Sequence, residues 1–136
     1  MQIIDTWQRS ASRLIAVAAG REAAELVVQN CHLVNVNSRE ILDGWEVAVV
    51  KGRFAYVGPN ATHCVGANTT VFDAKGKFII PGLCDGHMHI ESGMLTPAEF
   101  AAAVIPHGTT TMFTDPHEIA NVLGLSGVKM MHDEAM

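Results

Sequence analysis

The second half of the chain alternates between strand-like and helix-like segments, and this alternation restricts the possible folds more than any other feature. The apolar segment 83–90 and the β-branched segment 109–114 each predict a strand. Residues 96–99 (TPAE) are typical of a capping box with proline at the first helical position, and residues 115–118 (DPHE) repeat that pattern. Strand, helix, strand and helix joined by short connections indicate βαβ units of a parallel sheet.

The region from residue 25 to residue 80 has a different pattern. Short β-branched runs alternate there with turn residues, which is typical of a small sheet. Lys51-Gly52 and Lys75-Gly76 occur where tight hairpin turns are expected. The segment therefore predicts an antiparallel sheet of short strands.

The first twenty residues predict an amphipathic helix. Asp5 or Thr6 is a suitable cap, apolar residues recur at helical spacing, and Gly20 is a suitable stop. We therefore expect three segments: an N-terminal helix over 1–20, a sheet portion over 21–80 and βα units over 81–136.

The composition excludes several classes of protein. Fourteen acidic residues against nine Lys and Arg give a charge of −5 without runs, so no nucleic-acid partner is expected. No apolar stretch reaches the roughly 20 residues of a membrane-spanning helix, so no membrane partner is expected. Three cysteines without a CxxC pair favour reduced thiols in a cytoplasmic protein. A complete (β/α)8 barrel takes about 250 residues, so 136 residues cannot form one.

The motif DGHMH at residues 85–89 carries the most chemistry. Because side chains alternate along a strand, His87 and His89 are expected on one face, together with Asp85. Two imidazoles on one strand face can bind the same divalent metal ion, and Asp85 is expected to orient one of them. Alternation puts Cys84 on the opposite face, where a buried structural thiol is expected.

Polar residues after each predicted strand are further candidates. Glu91 and Ser92 follow the histidines directly and either line a substrate pocket or belong to a solvated loop. Asp115 and Glu118 either contact substrate or metal, or only cap the following helix. His117 has no capping role, which favours a function in the site.

Several motifs carry a resemblance to a known family. The segment 80–89 (IPGLCDGHMH) looks like the first barrel strand of the amidohydrolase superfamily. The motifs HIES, PHGTTT and DPHEIANVLG that follow closely resemble the adenine deaminases of that superfamily. The likeness covers nearly the whole chain.

The resemblance implies an α/β fold in which a (β/α)8 barrel carries a β-sandwich built from both chain ends. This chain would supply the N-terminal half of the sandwich and the first βα units of an incomplete barrel. The implied reaction is hydrolysis of adenine to hypoxanthine and ammonia by a metal-bound hydroxide. His87 and His89 would bind manganese or iron(II), as one ion or two. The implied small-molecule partner is a purine, adenine. The protein is implied to be cytoplasmic and to form a homo-oligomer.

Three further expectations follow. The family's remaining metal ligands would lie beyond Met136, so the isolated chain is expected to be inactive. Another amidohydrolase, such as a cyclic amidase, is the first alternative. The second is a non-catalytic fragment that self-associates through its open sheet.

Overall fold

The structure is a computed structural model that describes residues 11–136. The predicted caps Asp5 and Thr6, and the first half of the predicted helix, lie outside the described residues. The chain divides into two compact units, the first ending at Ile80 and the second covering Pro81–Met136. No helix within residues 11–136 is long and apolar enough to cross a bilayer.

The first unit contains a helix and a four-stranded sheet. Residues 11–18 are helical (α1). The strands follow in the spatial order β3-β2-β1-β4. Their bounds are β1 Leu26–Asn35, β2 Glu40–Val50, β3 Arg53–Gly58 and β4 Thr70–Ile79, with a 3-10 turn at Thr62–Cys64 before β4.

The sheet is antiparallel only in part. β2 pairs antiparallel with both β1 and β3, as predicted, but β4 pairs parallel with β1. The prediction of an antiparallel sheet is therefore wrong for β4. The physical reason is the long connection after β3, which crosses to the opposite edge of the sheet and so allows a parallel pairing.

The two Lys-Gly pairs have similar backbones and different roles. Lys51 and Gly52, with φ of 50° and 66°, form the predicted hairpin turn between β2 and β3. Lys75 and Gly76, with φ of 52° and 74°, lie inside β4 and form a bulge, so the predicted turn is wrong there. Asn30 of β1, also at positive φ, is skipped at the same point of the register. Two consecutive residues in the left-handed conformation can form either a turn or a bulge. Which one forms depends on the pairing of the neighbouring strand.

Asp73 stabilises this bulge. Its carboxylate accepts the main-chain N–H of Lys75 at 2.9 Å and the side-chain N–H of Asn30 at 3.0 Å. These two hydrogen bonds hold the pKa of the carboxyl below its ordinary value. Because the pKa is lower in the folded state, the carboxylate stabilises the fold at neutral pH. That contribution is lost as the pH falls through the folded-state pKa.

We therefore expect Asp73→Asn to lower the free energy of unfolding at pH 7, and this difference to shrink as the pH falls below about 4, the ordinary pKa of an aspartate. Urea unfolding of both chains between pH 7 and about pH 3 measures this difference. Glu40→Gln, the same loss of charge at another exposed strand position, is the matched control. If the free energies of unfolding of Asp73→Asn and the parent chain differed by the same amount at every pH, the prediction would be wrong.

The core of the first unit lies between α1 and one face of the sheet. Its buried side chains come from the helix, the strands, the 3-10 turn and the segments just before β1 and that turn: Val17, Ala24, Val27, Ala48, Val50, Ala61 and Cys64. Phe54 and Phe72 pair with Val49 and Val28 on the opposite face and are 70% and 57% exposed. That face therefore carries large apolar side chains that are exposed.

The second unit follows the predicted order of strand, helix, strand and helix. β5 and β6 pair in parallel, and helices follow each of them. The elements are β5 Leu83–Met88, a 3-10 turn Ile90–Gly93, α2 Pro97–Val104, a 3-10 turn Ile105–His107, β6 Thr109–Thr114, α3 His117–Leu123 and α4 Leu125–Ala135.

Two local predictions for this unit are wrong. Neither capping box forms, because Thr96 makes no side-chain cap bond to α2, and α3 begins after Pro116 without a side-chain cap at that position. Cys84 is exposed and not buried. The reason is that β5 belongs to a sheet of only two strands within the described residues, so this part of the strand is left uncovered.

Candidate metal centre

The C-terminal end of β5 brings two imidazoles together. The His87 and His89 rings lie 4.7 Å apart between centroids, and their Nε2 atoms are 3.0 Å apart. Nδ1 of His89 lies 2.8 Å from the main-chain carbonyl oxygen of Asp115. A carbonyl oxygen only accepts hydrogen bonds, so Nδ1 of His89 carries the proton. In the neutral ring the Nε2 lone pair is therefore free to bind a metal.

The separation of the two Nε2 atoms fits a shared metal ion. Two nitrogens, each about 2.1 Å from one ion and about 90° apart, are about 3.0 Å from each other. The same distance also fits a direct hydrogen bond between the rings, with Nε2 of His87 as the donor. Imidazole nitrogens beside a carboxylate suit Zn²⁺, Fe²⁺ and Mn²⁺.

The C-terminal end of β6 contributes a carboxylate and a third imidazole. Nδ1 of His117 donates to Oδ2 of Asp115 at 3.0 Å, and the His117 ring meets the His89 ring edge-on at 4.6 Å. The hydrogen bond from His117 is the main cause that holds the pKa of the Asp115 carboxyl below its ordinary value. Asp115 is therefore anionic at neutral pH. Donor atoms of His87, His89 and Asp115 all lie within 4.8 Å of one another.

Asp85 has a local contact. Its Oδ1 accepts the main-chain N–H of His87 at 3.1 Å, beside an irregularity in the register between β5 and β6. Within the described residues it has no hydrogen bond to an imidazole. Its predicted role in orienting a histidine stays a prediction.

Glu91 and Ser92 join the loop after β5 to the start of α3. Oε1 of Glu91 accepts the main-chain N–H groups of Glu118 at 3.2 Å and Ile119 at 3.4 Å. Ser92 Oγ donates to the Glu118 carboxylate at 2.7 Å. Glu91 therefore caps α3 from a distant segment, which explains why α3 lacks a cap of its own. The other Glu91 oxygen, Oε2, is buried without a hydrogen-bond partner in the described chain.

We expect Glu91→Ala to destabilise α3 by about 1 kcal/mol, because two main-chain N–H groups lose their acceptor. Glu91→Gln keeps an acceptor oxygen and is expected to retain most of that stability. Hydrogen exchange of the α3 amides measures the effect. Ser92→Ala is the matched control, since it removes the neighbouring hydroxyl and leaves the cap in place. Unchanged protection of α3 in Glu91→Ala would contradict this role.

The predicted site residues thus form two neighbouring groups in one unit. His87, His89, Asp115 and His117 make up the first, and Glu91, Ser92 and Glu118 make up the second. Sequence reasoning missed the main-chain carbonyl of Asp115, which orients His89. No side-chain pattern reports a carbonyl position, so this contact needs the fold.

The chain is similar in sequence to several known proteins. Residues 78–136 match the family model described as Amidohydrolase family. The chain is 66% identical over 131 residues to the adenine deaminase of Ruegeria pomeroyi, covering 96% of this chain and 22% of that protein. Identity and coverage are the same for adenine deaminase 1 of a Jannaschia species. The chain thus spans about a fifth of the length of these curated relatives.

A solved structure supports the fold. Molinate hydrolase matches with a TM-score of 0.54 and 24% identity, covering 79% of this chain and 28% of that one. At this level of identity the match concerns the arrangement of strands and helices alone.

Proposed function

We propose that this chain, which is homologous to the N-terminal portion of the adenine deaminases, supplies the first metal-binding strands of an enzyme that hydrolyses adenine to hypoxanthine and ammonia. The observation that carries the proposal is the 3.0 Å approach of the His87 and His89 Nε2 atoms at the end of a parallel strand. Sites of barrel enzymes lie at such strand ends.

The residues of this chain would bind the metal ion and orient its ligands. His87 and His89 would bind the ion, and the Asp115 carbonyl keeps the His89 ring in its productive tautomer. Manganese or iron(II), as one ion or two, is the proposed cofactor. The ion, when bound, acidifies a water molecule and so supplies a nucleophile at neutral pH. The Glu91 cap keeps the start of α3 beside this strand end, where a purine would bind.

The fold proposal has separate support. We propose that the first unit is half of a β-sandwich, because Phe54 and Phe72 are exposed on the face of its sheet that is opposite the core. The second unit would be the start of a barrel, since β5 and β6 each have an unpaired edge among the described strands. A cytoplasmic homo-oligomer is also proposed. The free thiols of Cys31, Cys64 and Cys84 support the cytoplasm as its compartment, because thiols stay reduced there.

A chimera tests the function. This chain replaces the matching 131 residues of the Ruegeria pomeroyi adenine deaminase, and ammonia release from adenine is measured with Mn²⁺ present. We expect the chimera to turn over adenine and the isolated 136-residue chain not to. Dihydroorotate, a cyclic amide, tests the alternative of a cyclic amidase. A folded, metal-loaded chimera that leaves adenine unchanged would refute the proposal.

The exposed phenylalanines also favour the alternative of a self-associating fragment. We expect the isolated chain to form oligomers, because Phe54 and Phe72 present exposed apolar surface beside unpaired strand edges. Light scattering after size exclusion gives the mass of the parent chain and of a Phe54→Ser, Phe72→Ser variant. The variant is expected to shift toward monomer. A parent chain that is already monomeric would exclude this alternative.

A further inference from the structure

We propose that Asp115 is a third metal-binding side chain, so that the second unit alone, without further ligands, holds a divalent cation. The inference rests on the proposed function for His87 and His89, and it adds a ligand from the end of the neighbouring strand. It goes beyond that function, because it assigns a binding property to the 136-residue chain that does not require catalysis.

The donor atoms of three side chains lie close together at one end of the second unit's sheet. The donor atoms of His87, His89 and Asp115 lie within 4.8 Å of one another, so small side-chain movements would bring all three within bonding distance of one ion. The three residues come from the C-terminal ends of β5 and β6, which are paired in parallel. The site is therefore formed by adjacent strands and does not depend on a distant segment.

The contacts of Asp115 are the second argument. Oδ2 accepts one hydrogen bond from Nδ1 of His117, and within the described residues Oδ1 accepts none. A carboxylate held at one oxygen and free at the other is suited to monodentate binding of a cation. A histidine that orients a ligating carboxylate is a typical outer partner of a metal site.

The nature of the donors is the third argument. Two neutral imidazoles and one carboxylate form the set that non-haem Fe²⁺ and related divalent ions prefer. Three protein ligands with open positions are also the usual number for a functional metal site. The two histidines alone are too few ligands. Asp115, for which the sequence left metal contact and helix capping open, lies beside them and would be the third.

Titration of the 136-residue chain with Co²⁺ tests the inference, with visible absorption and calorimetry as readouts. We expect one ion to bind per chain. Asp115→Asn is expected to weaken binding at least tenfold and to change the Co²⁺ absorption spectrum, because a neutral amide replaces the anionic carboxylate ligand. His117→Ala is expected to weaken binding less and to leave the spectrum unchanged, because it only orients the carboxylate. Asp133→Asn, a carboxylate of α4 outside the cluster, is the control.

The outcomes separate the two proposals. Asp115→Asn with the affinity and spectrum of the parent would overturn the role of Asp115, while loss of binding in His87→Ala would still support the histidine site. A parent chain that binds no Co²⁺ would overturn the inference that this unit suffices, and adenine turnover by the chimera would test the function independently. Asp115→Glu is the test against misfolding, because it keeps a carboxylate at this position. Partial recovery of the affinity in this variant supports ligation.

Discussion

Adenine turnover by the chimera is expected to fall by at least about a hundredfold when His87 is replaced by alanine. That factor is the upper end of the loss seen when a group that only orients a ligand is removed, and removal of a ligand itself costs more. His89→Ala is expected to have an effect at least as large, because it also removes the ring that donates to the Asp115 carbonyl. Ammonia release, together with the metal content of each purified variant, measures the loss.

The control for these variants is His107→Ala. His107 ends the 3-10 turn before β6, whereas the two proposed ligands lie at the other, C-terminal end of the neighbouring strand. It is expected to keep the activity and metal content of the parent chimera. If His87→Ala retained activity within about twofold while binding the same amount of metal, His87 would not be a ligand.

The pairing of His87 and His89 follows from sequence for a local reason. Two residues separated by one position on a strand share a face whatever the rest of the chain does. The 4.7 Å ring separation needs little more than that alternation. The apolar strand before them and the DPHE segment after β6 are also recognised from local sequence patterns. The positions of the candidate site residues at this edge of the sheet can therefore be predicted.

The contacts that organise the site depend on the fold. Glu91 caps α3 across 27 positions of sequence, and the capping-box pattern beside α3 suggested a local cap that does not form. Asp115 orients His89 through its main-chain carbonyl, which every residue possesses. Periodicity and spacing relate residues that are close in sequence. They therefore do not predict contacts between residues that are far apart in sequence.

The sheet of the first unit gives the same lesson for topology. The sequence indicates where strands occur, but the partner of β4 depends on the route of the preceding connection. Lys51-Gly52 and Lys75-Gly76 are identical dipeptides with nearly the same backbone angles. Only one reverses the chain, because β4 continues beside β1 through its bulge.

Gly82→Ala is expected to destabilise the pairing of β5 and β6 by about 1 to 3 kcal/mol, the usual cost of overpacking. A Cβ on Gly82 would lie 2.8 Å from Cβ of Thr110 and 2.6 Å from its Cγ2. Rotation of the Thr110 side chain moves Cγ2 but not Cβ, so the backbone has to shift. The register skips Thr110 between its two neighbours, which is why that residue projects toward Gly82.

Gly86→Ala is the matched control, because it makes the same substitution within β5, where a Cβ would meet nothing within 4 Å. Hydrogen exchange of the β5 and β6 amides measures both variants. Gly82→Ala is expected to lose protection across both strands, and Gly86→Ala to keep it. Co²⁺ affinity is expected to fall with that protection in Gly82→Ala, because the metal donors lie at the far end of the same two strands. Equal protection in the two variants would mean that Thr110 moves aside at no cost, and Gly82 would then have no structural role in positioning the site.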